Sequence, residues 1–272
     1  MKSGQPGLFK HLTARLGRRL AHYLNQPNRR YEPFAISDPA RLAAVLQPAD
    51  VMLVDGNSRV STAIKYLTQS TWSHAAMYVG DFRNSGLDAG SAPVLIEADL
   101  EQGGIAVSLD KYAQLNTRIC RPLGLSAEEC LLVCRYLMER LGHAYDLKNV
   151  FDLARYLLPV PPVPVNWRRR MLALGSGDPT RAICSTLIAQ AFQSVRYPIL
   201  PHVEQREMAG ALPGYSLREI HHIRHYSLFA PRDFDISPYF RILKPTLEAG
   251  FDHRLLTWAD QLDSGNTSDI PP

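Results

Sequence analysis

Short apolar runs bounded by turn residues recur along the middle of the chain, and this pattern predicts strands. Residues 51–54 (VMLV) run into an Asp-Gly turn, and residues 74–80 (HAAMYVG) are closed by a glycine. Residues 94–99 (VLIEAD) and 104–109 (GIAVSL) follow one another across a glycine-containing turn. A last strand is predicted within residues 239–245 (YFRILKP). Apolar runs of this length with flanking Gly, Pro, Asn or Asp are typical of strands.

Longer stretches with apolar residues three to four positions apart predict helices between these strands. In the clearest of them, Ser126 and Glu129 form a capping box at the start, and Gly142 ends the helix. Together these signals predict helices at residues 39–47, 57–71 (with Asn57 or Ser58 as N-cap), 126–142, 146–158 and 181–192.

The mixture of strands and helices predicts one α+β domain flanked by terminal arms. The domain spans residues 33–245, with an arm at 1–32 and a tail at 246–272. Within the domain, PVPPVPV can continue neither a helix nor a central strand, because proline lacks the backbone donor. It therefore predicts a rigid connector at the start of an insert over residues 159–180.

Composition limits the classes of protein that the chain can belong to. Its 272 residues are 46% hydrophobic, which is enough for a substantial core. We see no apolar run near the roughly 20 residues that span a bilayer, and no secretory signal at the N-terminus. Four irregularly spaced cysteines do not indicate a disulfide framework. We therefore expect a cytoplasmic protein, with peripheral contact at the inner membrane as a further expectation.

Positive charge is concentrated at the N-terminus. Seven Lys or Arg residues precede Glu32 without a single acid, and the remainder holds 23 basic and 26 acidic residues. Because the domain itself is slightly acidic, we expect no nucleic-acid partner.

The N-terminal arm has the pattern of an amphipathic helix over residues 8–24. Such a basic helix with an apolar face is typical of a membrane-surface helix that binds anionic lipid. The same apolar face would also serve a helix that docks on its own domain, and the sequence leaves both interpretations open. The apolar face contains Leu8, Phe9, Leu12, Leu16, Leu20, Tyr23 and Leu24, and the opposite face contains Lys10, Arg15 and Arg18.

Cys184 is the strongest candidate nucleophile. It stands where a flexible Gly/Pro segment gives way to an apolar helical run. The unpaired N–H groups and the dipole at a helix start stabilise a thiolate, which is the nucleophilic form of cysteine. A single cysteine at this position is more often a small core residue, so the interpretation depends on partners elsewhere.

His74 and Glu97 are the candidate partners of that cysteine. His74 opens an apolar strand, and Glu97 places a carboxylate inside another. If the two strands pair, Glu97 can bind one imidazole nitrogen and leave the other facing a thiol. The alternatives are a core histidine and a carboxylate that points to solvent from an edge strand.

Four segments resemble the circularly permuted branch of the NlpC/P60 papain-like superfamily, in particular its YiiX/YebB-like (YaeF/YiiX) lipo-like members. The segments are ADVMLVDGNSRVSTAIKYLTQSTWSHAAMYVG, VLIEADLEQGGIAVSL, HAYDL and AICSTLIAQAF, within residues 48–200. The resemblance implies a papain-like fold, with an antiparallel sheet packed against helices and the nucleophile at a helix N-terminus. It implies Cys184 as nucleophile, His74 as base and Glu97 as orienting residue, with Glu101 as the substitute for Glu97. It also implies that Tyr145 is a catalytic residue near the nucleophile, where it helps to stabilise an oxyanion.

These observations predict a thiol hydrolase or acyltransferase that acts on an amide or ester bond of a peptide, acyl-amide or lipid. The alternative is a non-catalytic membrane-surface adaptor on a degenerate papain-like scaffold. A zinc site is a weaker alternative, since His221 and His225 are four residues apart and that spacing converges on a helix. We expect neither a cofactor nor a bound metal.

Overall fold

The computed structural model describes the residues that form most of the predicted domain. They are residues 26–27, 32–33, 38–80, 94–99, 102–143, 183–207, 217–244, 252 and 254. Several predicted features lie outside them: the amphipathic arm at 8–24, the helix at 146–158, the insert at 159–180, Glu101 and Tyr145.

The described chain is an α+β structure, which confirms the predicted class. The helices are α1 (Pro39–Val45), α2 (Arg59–Thr68), α3 (Ala127–Met138), α4 (Ile183–Ser194) and α5 (Pro231–Asp235). The strands are β1 (Val51–Asp55), β2 (His74–Gly80), β3 (Val94–Asp99), β4 (Gly103–Ser108), β5 (Asn116–Pro122), β6 (His202–Glu207), β7 (Leu217–His222) and β8 (Phe240–Leu243). Two 3₁₀ turns lie at Leu109–Tyr112 and Tyr226–Leu228.

Six strands form one antiparallel sheet in the order β4-β3-β2-β1-β5-β8, and β6 and β7 form a separate antiparallel ribbon. All the predicted strands of the sheet are present. β5 was not predicted, because NTRICRP has neither an apolar run nor a clear alternation. Its place beside β1 depends on the backbone hydrogen bonds of the ladder.

Both faces of the sheet are covered, which explains the nearly continuous burial of the central strands. Ala75 and Met77 face a cluster that includes the buried residues of α3 and α4. The intervening Ala76 faces a second cluster, formed with Leu42 and Leu46 near α1 and with the first 3₁₀ turn. Alternate side chains of β2 therefore point to opposite faces of the sheet.

Two helix ends correct or refine the sequence prediction. Ser58, not Asn57, caps α2, since its hydroxyl accepts a hydrogen bond from the Ser61 amide at 3.1 Å. The Ser126 capping box of α3 is present, but the helix ends at Met138 rather than at Gly142. Gly142 instead occupies a turn with φ +75°, a left-handed conformation that glycine adopts readily. None of the described helices is long and apolar enough to cross a bilayer.

Candidate active site

His74 is held at the first position of β2 by the turn that follows β1. The Ser73 side chain is buried, and its hydroxyl accepts a hydrogen bond from the Gly56 amide at 2.9 Å. A Cβ atom on Gly56 would lie 2.3 Å from Ser61 Oγ and 2.9 Å from Ser73 Oγ, so the turn has no room for a larger residue. The turn therefore fixes the residue immediately before the histidine.

Glu97 reaches His74 because β3 pairs with β2. Met77 stands opposite Ile96, and the same antiparallel register carried one residue further sets Glu97 opposite Ala76. His74 and Glu97 are then diagonal neighbours on one face of the sheet, within reach of long side chains. Glu97 Oε2 lies 2.9 Å from His74 Nε2. β3 is flanked on both sides and the Glu97 side chain is 2% exposed, so the edge-strand alternative is wrong.

Cys184 lies in the first turn of α4, as the sequence predicts, and it is buried where this helix packs against β2 and β3. Its thiol is hydrogen-bonded to His74 and to the Ala75 backbone, and the Ser185 hydroxyl lies 3.9 Å from Sγ. Because Glu97 occupies His74 Nε2, the nitrogen left for the thiol is Nδ1. The structure thus brings together three residues that are far apart in sequence.

The electrostatics favour an ionised thiol beside a protonated imidazole. Burial raises the pKa of the Cys184 thiol, but the charge of His74 and the hydrogen bonds from His74, Ala75 and Ser185 outweigh it, so the pKa is lowered. Burial likewise disfavours a charged His74, but the negative charges of Glu97 and Cys184 raise its pKa to about 10. At a pH between the lowered pKa of the thiol and the raised pKa of the imidazole, the pair is therefore a thiolate and an imidazolium.

The other cysteines show how unusual this environment is. All four cysteines of the chain are free. Burial raises the pKa of Cys120 and Cys130, and it raises that of Cys134 to about 12. Cys134 belongs to the core around α3, and Cys130 packs against it. Cys184 is the cysteine whose pKa is lowered.

Lys111 and Tyr112 complete the surroundings of the pair, and sequence reasoning missed both. Lys111 Nζ donates a hydrogen bond to Glu97 Oε1, the carboxylate oxygen that His74 does not use. The Tyr112 ring is centred 6.1 Å from the imidazole. Both residues lie in the 3₁₀ turn after β4, the strand beside β3. A search for lysine or arginine in, and just after, the strand that pairs with the Glu97 strand would have found Lys111.

A polar cleft of about 300 Å³ lies at the same end of the sheet. Leu53 pairs with Ala75 on one side and with Arg118 on the other, which places Arg118 two strand spacings, about 10 Å, from Ala75. Arg118 binds both carboxylate oxygens of Asp235, at 2.7 and 2.9 Å, and its guanidinium lies 4.9 Å from the Trp72 ring centre. Trp72, which lines the cleft, precedes His74 by two residues, but neither His74, Glu97 nor Cys184 lines it.

The helical spacing on which the zinc alternative depends is not present. His221 lies in strand β7 and His225 lies beyond its end, so the two are not on a helix. Across the part of the chain that the structure describes, no group of three or more His, Cys, Asp or Glu side chains could hold a metal ion.

No protein-family model matches the sequence, and the search of curated proteins finds no match. Among solved structures, the chain is similar to one described as metalloprotein yiiX from Escherichia coli O157:H7, DUF1105. The TM-score is 0.42 and the identity 18%, with 73% of this chain and 96% of that chain covered. A similarity of this size does not establish the permuted papain-like fold or a shared activity.

Proposed function

We propose that the protein is a cysteine-dependent acyl hydrolase or acyltransferase with a permuted NlpC/P60 papain-like fold. Cys184 is the nucleophile, His74 the general base and acid, and Glu97 the residue that orients His74. The observation that carries the proposal is the hydrogen-bonded chain from the buried Glu97 carboxylate through His74 to the Cys184 thiol. This arrangement lowers the thiol pKa, as nucleophilic catalysis by cysteine requires.

In the first half of the proposed reaction, the thiolate sulfur of Cys184 attacks the carbonyl carbon of an amide or ester. A C–S bond forms and the carbonyl electrons move to oxygen, where backbone N–H groups at the start of α4 stabilise the charge. The intermediate then expels the amine or alcohol, which takes the proton from His74 Nδ1. The products of this half are a thioester on Cys184 and a neutral imidazole.

In the second half, water or another nucleophile attacks the thioester carbonyl. His74 Nδ1 accepts the proton of the attacking group, and the C–S bond breaks to release the thiolate. The ion pair of the resting enzyme is thereby restored. Water as acceptor gives hydrolysis, and an alcohol or amine gives acyl transfer. The cleft beside Trp72 and Arg118 offers room for a part of the substrate that does not react.

A non-catalytic adaptor accounts less well for the same residues. Burying a glutamate and a histidine in an apolar sheet costs free energy, and that cost is offset only if the groups are paired. An adaptor has no need for a paired histidine that also lowers the pKa of a buried thiol. We therefore favour the enzyme over the adaptor.

The first test is the pH dependence of Cys184 alkylation by iodoacetamide, followed site by site with mass spectrometry. We expect rapid alkylation of Cys184 near pH 6, and loss of that reactivity in His74→Ala. Cys184→Ser is the blank, and the partly exposed Cys130, whose pKa burial raises, is an internal reference in the same sample. Titration of Cys184 near the ordinary thiol pKa of about 8.5, without dependence on His74, would contradict the proposal.

The second test traps the acyl-enzyme. The protein is mixed with nitrophenyl esters, acyl-amides and short-chain lipid esters, and its intact mass is measured after rapid acid quenching. We expect a mass increase equal to the acyl group, located on Cys184 by peptide mapping and absent in Cys184→Ser. A reactive thiolate that none of these donors acylates would count against acyl chemistry.

A further inference from the structure

Glu97 is enclosed by two cations, not one. Its carboxylate accepts a hydrogen bond from His74 on Oε2 and from Lys111 on Oε1. Among the described residues, His74 and Lys111 are the charged groups that act on its pKa. Burial raises that pKa, but the two cations outweigh burial and lower it.

The fold supplies Lys111 separately from the other members of the site. The lysine lies in the 3₁₀ turn Leu109–Tyr112, directly after β4, and this turn contacts α1. The pairing of Glu97 with Ile105 carries β4 along β3, so the chain leaves the sheet beyond its Val94–Ser108 pair. Lys111 Nζ then returns to the carboxylate, with its side chain 43% exposed and that of Glu97 only 2% exposed. The partly exposed lysine therefore lies between solvent and the buried Glu97 carboxylate.

We infer that Lys111 is a positioning residue of the proposed active site, which holds the Glu97 carboxylate ionised and fixed through both halves of the reaction. This inference rests on the proposed function. It assigns Lys111 no contact with substrate, because the lysine acts on His74 only through Glu97.

The need for such a residue follows from counting charges. In the resting site, Glu97 and Cys184 are negative while His74 and Lys111 are positive. In the thioester state, Cys184 is uncharged and His74 has given its proton to the leaving group, so neither balances Glu97. A buried carboxylate beside a neutral imidazole gains a proton more readily, because burial penalises its charge.

Lys111 opposes that protonation, because its ammonium group is hydrogen-bonded to Glu97 Oε1 and favours the ionised carboxylate. Glu97 then remains an anion when His74 must accept a proton from the attacking water. A protonated Glu97 could not stabilise the imidazolium that forms at that point. Lys111 also occupies Oε1, which leaves Oε2 directed at the imidazole.

The experiment compares the titration of the Glu97 carboxyl, followed by ¹³C NMR, in the wild type, Lys111→Met and Lys111→Arg. The groups that face the site are the same in each protein: Glu97 from β3, His74 from β2, Cys184 from α4 and Tyr112 from the 3₁₀ turn. Removing a positive charge beside Glu97 raises the pKa of that carboxyl, so its midpoint moves to higher pH.

We expect a rise of less than about one pH unit in Lys111→Met, because the lysine is partly exposed and solvent screens such pairs. Lys111→Arg restores the wild-type midpoint. Lys244→Met, which removes an exposed lysine just after β8 at the far edge of the sheet, leaves the midpoint unchanged.

The role of Glu97 is tested by repeating Lys111→Met in a Glu97→Gln background. The readout is the rate at which the Cys184 thioester formed from a nitrophenyl ester is hydrolysed. If Lys111 acts through Glu97, Lys111→Met slows this step in the wild-type background and causes no further slowing in Glu97→Gln. An equal slowing in both backgrounds, or a Glu97 midpoint in Lys111→Met equal to that of the wild type, overturns the inference while the proposed function stands. Titration of wild-type Cys184 as an ordinary thiol instead overturns the proposed function itself.

Discussion

The charge of Glu97 can be removed with almost no change of shape, and the result is predicted in some detail. Glu97→Gln keeps the side-chain volume at a position that is 2% exposed. The carboxylate accepts hydrogen bonds from Lys111 and His74 together, but an amide has one acceptor oxygen and one donor nitrogen. Lysine can only donate, so it takes the amide oxygen and leaves the NH₂ group facing His74 Nε2.

An imidazole that accepts a hydrogen bond at Nε2 cannot be an imidazolium, so the substitution drives His74 toward its neutral form. The difference between 6.5 and the pKa of about 10 for His74 corresponds to roughly 5 kcal/mol, which is what remains of the interactions with Glu97 and Cys184 after burial has opposed them. A hydrogen bond to a charged group accounts for about 1.5–3 kcal/mol of such a total. We therefore expect the pKa of His74 to fall by about one to two units in Glu97→Gln.

The assay is the base limb of the Cys184 alkylation profile, supported by the NMR titration of the His74 imidazole. Glu204→Gln is a matched control, because Glu204 Oε2 lies 3.0 Å from His222 Nε2 in a similar pair that is largely exposed on the β6–β7 ribbon. The control should leave the profile of Cys184 unchanged. A base limb that stays near pH 10 in Glu97→Gln would refute the reasoning that Glu97 supports the charge of His74.

Three further predictions concern stability and geometry. Between about pH 6.5 and 9 the His74–Cys184 pair holds one proton in the folded state and one in the unfolded state, so its contribution to the free energy of unfolding does not change with pH. At lower pH the unfolded state binds more protons, and the contribution falls. At higher pH the folded state binds more protons, and the contribution falls again. In Cys184→Ser, Glu97 still raises the pKa of His74, but there is no lowered thiol pKa to offset it. Urea unfolding should then show a contribution from His74 that falls from about pH 6.5 upward. A flat profile in that range would contradict the ion pair of His74 with Glu97. Tyr112→Phe should raise the free energy of unfolding by about 1 kcal/mol, because the Tyr112 hydroxyl is buried without a hydrogen-bond partner among the described residues; a clear loss of thermal stability would count against this. Gly56→Ala should cost about 1–3 kcal/mol and slow the alkylation of Cys184, since the new Cβ displaces Ser73; unchanged alkylation and melting temperature would show that the turn is not needed.

Local sequence signals were sufficient where hydrophobic periodicity and capping determine the structure. The strand that begins at His74, the capping box of Ser126 and the helix that contains Cys184 are all present. The contact of Glu97 with His74 could be predicted only on the condition that their strands pair, which the structure shows they do. The catalytic roles of these residues stay predictions.

The missed features depend on tertiary contacts. β5 was missed because it has no apolar run: many of its residues are polar or charged, and backbone hydrogen bonds hold it to β1. α3 ends at Met138, before Gly142, since Leu141 pairs with Gly104 of β4 in an isolated bridge. Lys111 has no local signal at all, because its partner lies in another strand and its own turn reads as an ordinary surface turn.

The separation of His74 from Cys184 along the chain also has a consequence for folding. The sheet that carries the base is built from residues 51–122 and 240–243, whereas the thiol arrives on a helix that begins at residue 183. No short segment contains both groups, so the lowered thiol pKa can exist only after long-range docking of α4 on the sheet. Rapid alkylation of Cys184 at mildly acidic pH is therefore a reporter of tertiary assembly, and in a refolding experiment it should appear with the native packing rather than with the first helices.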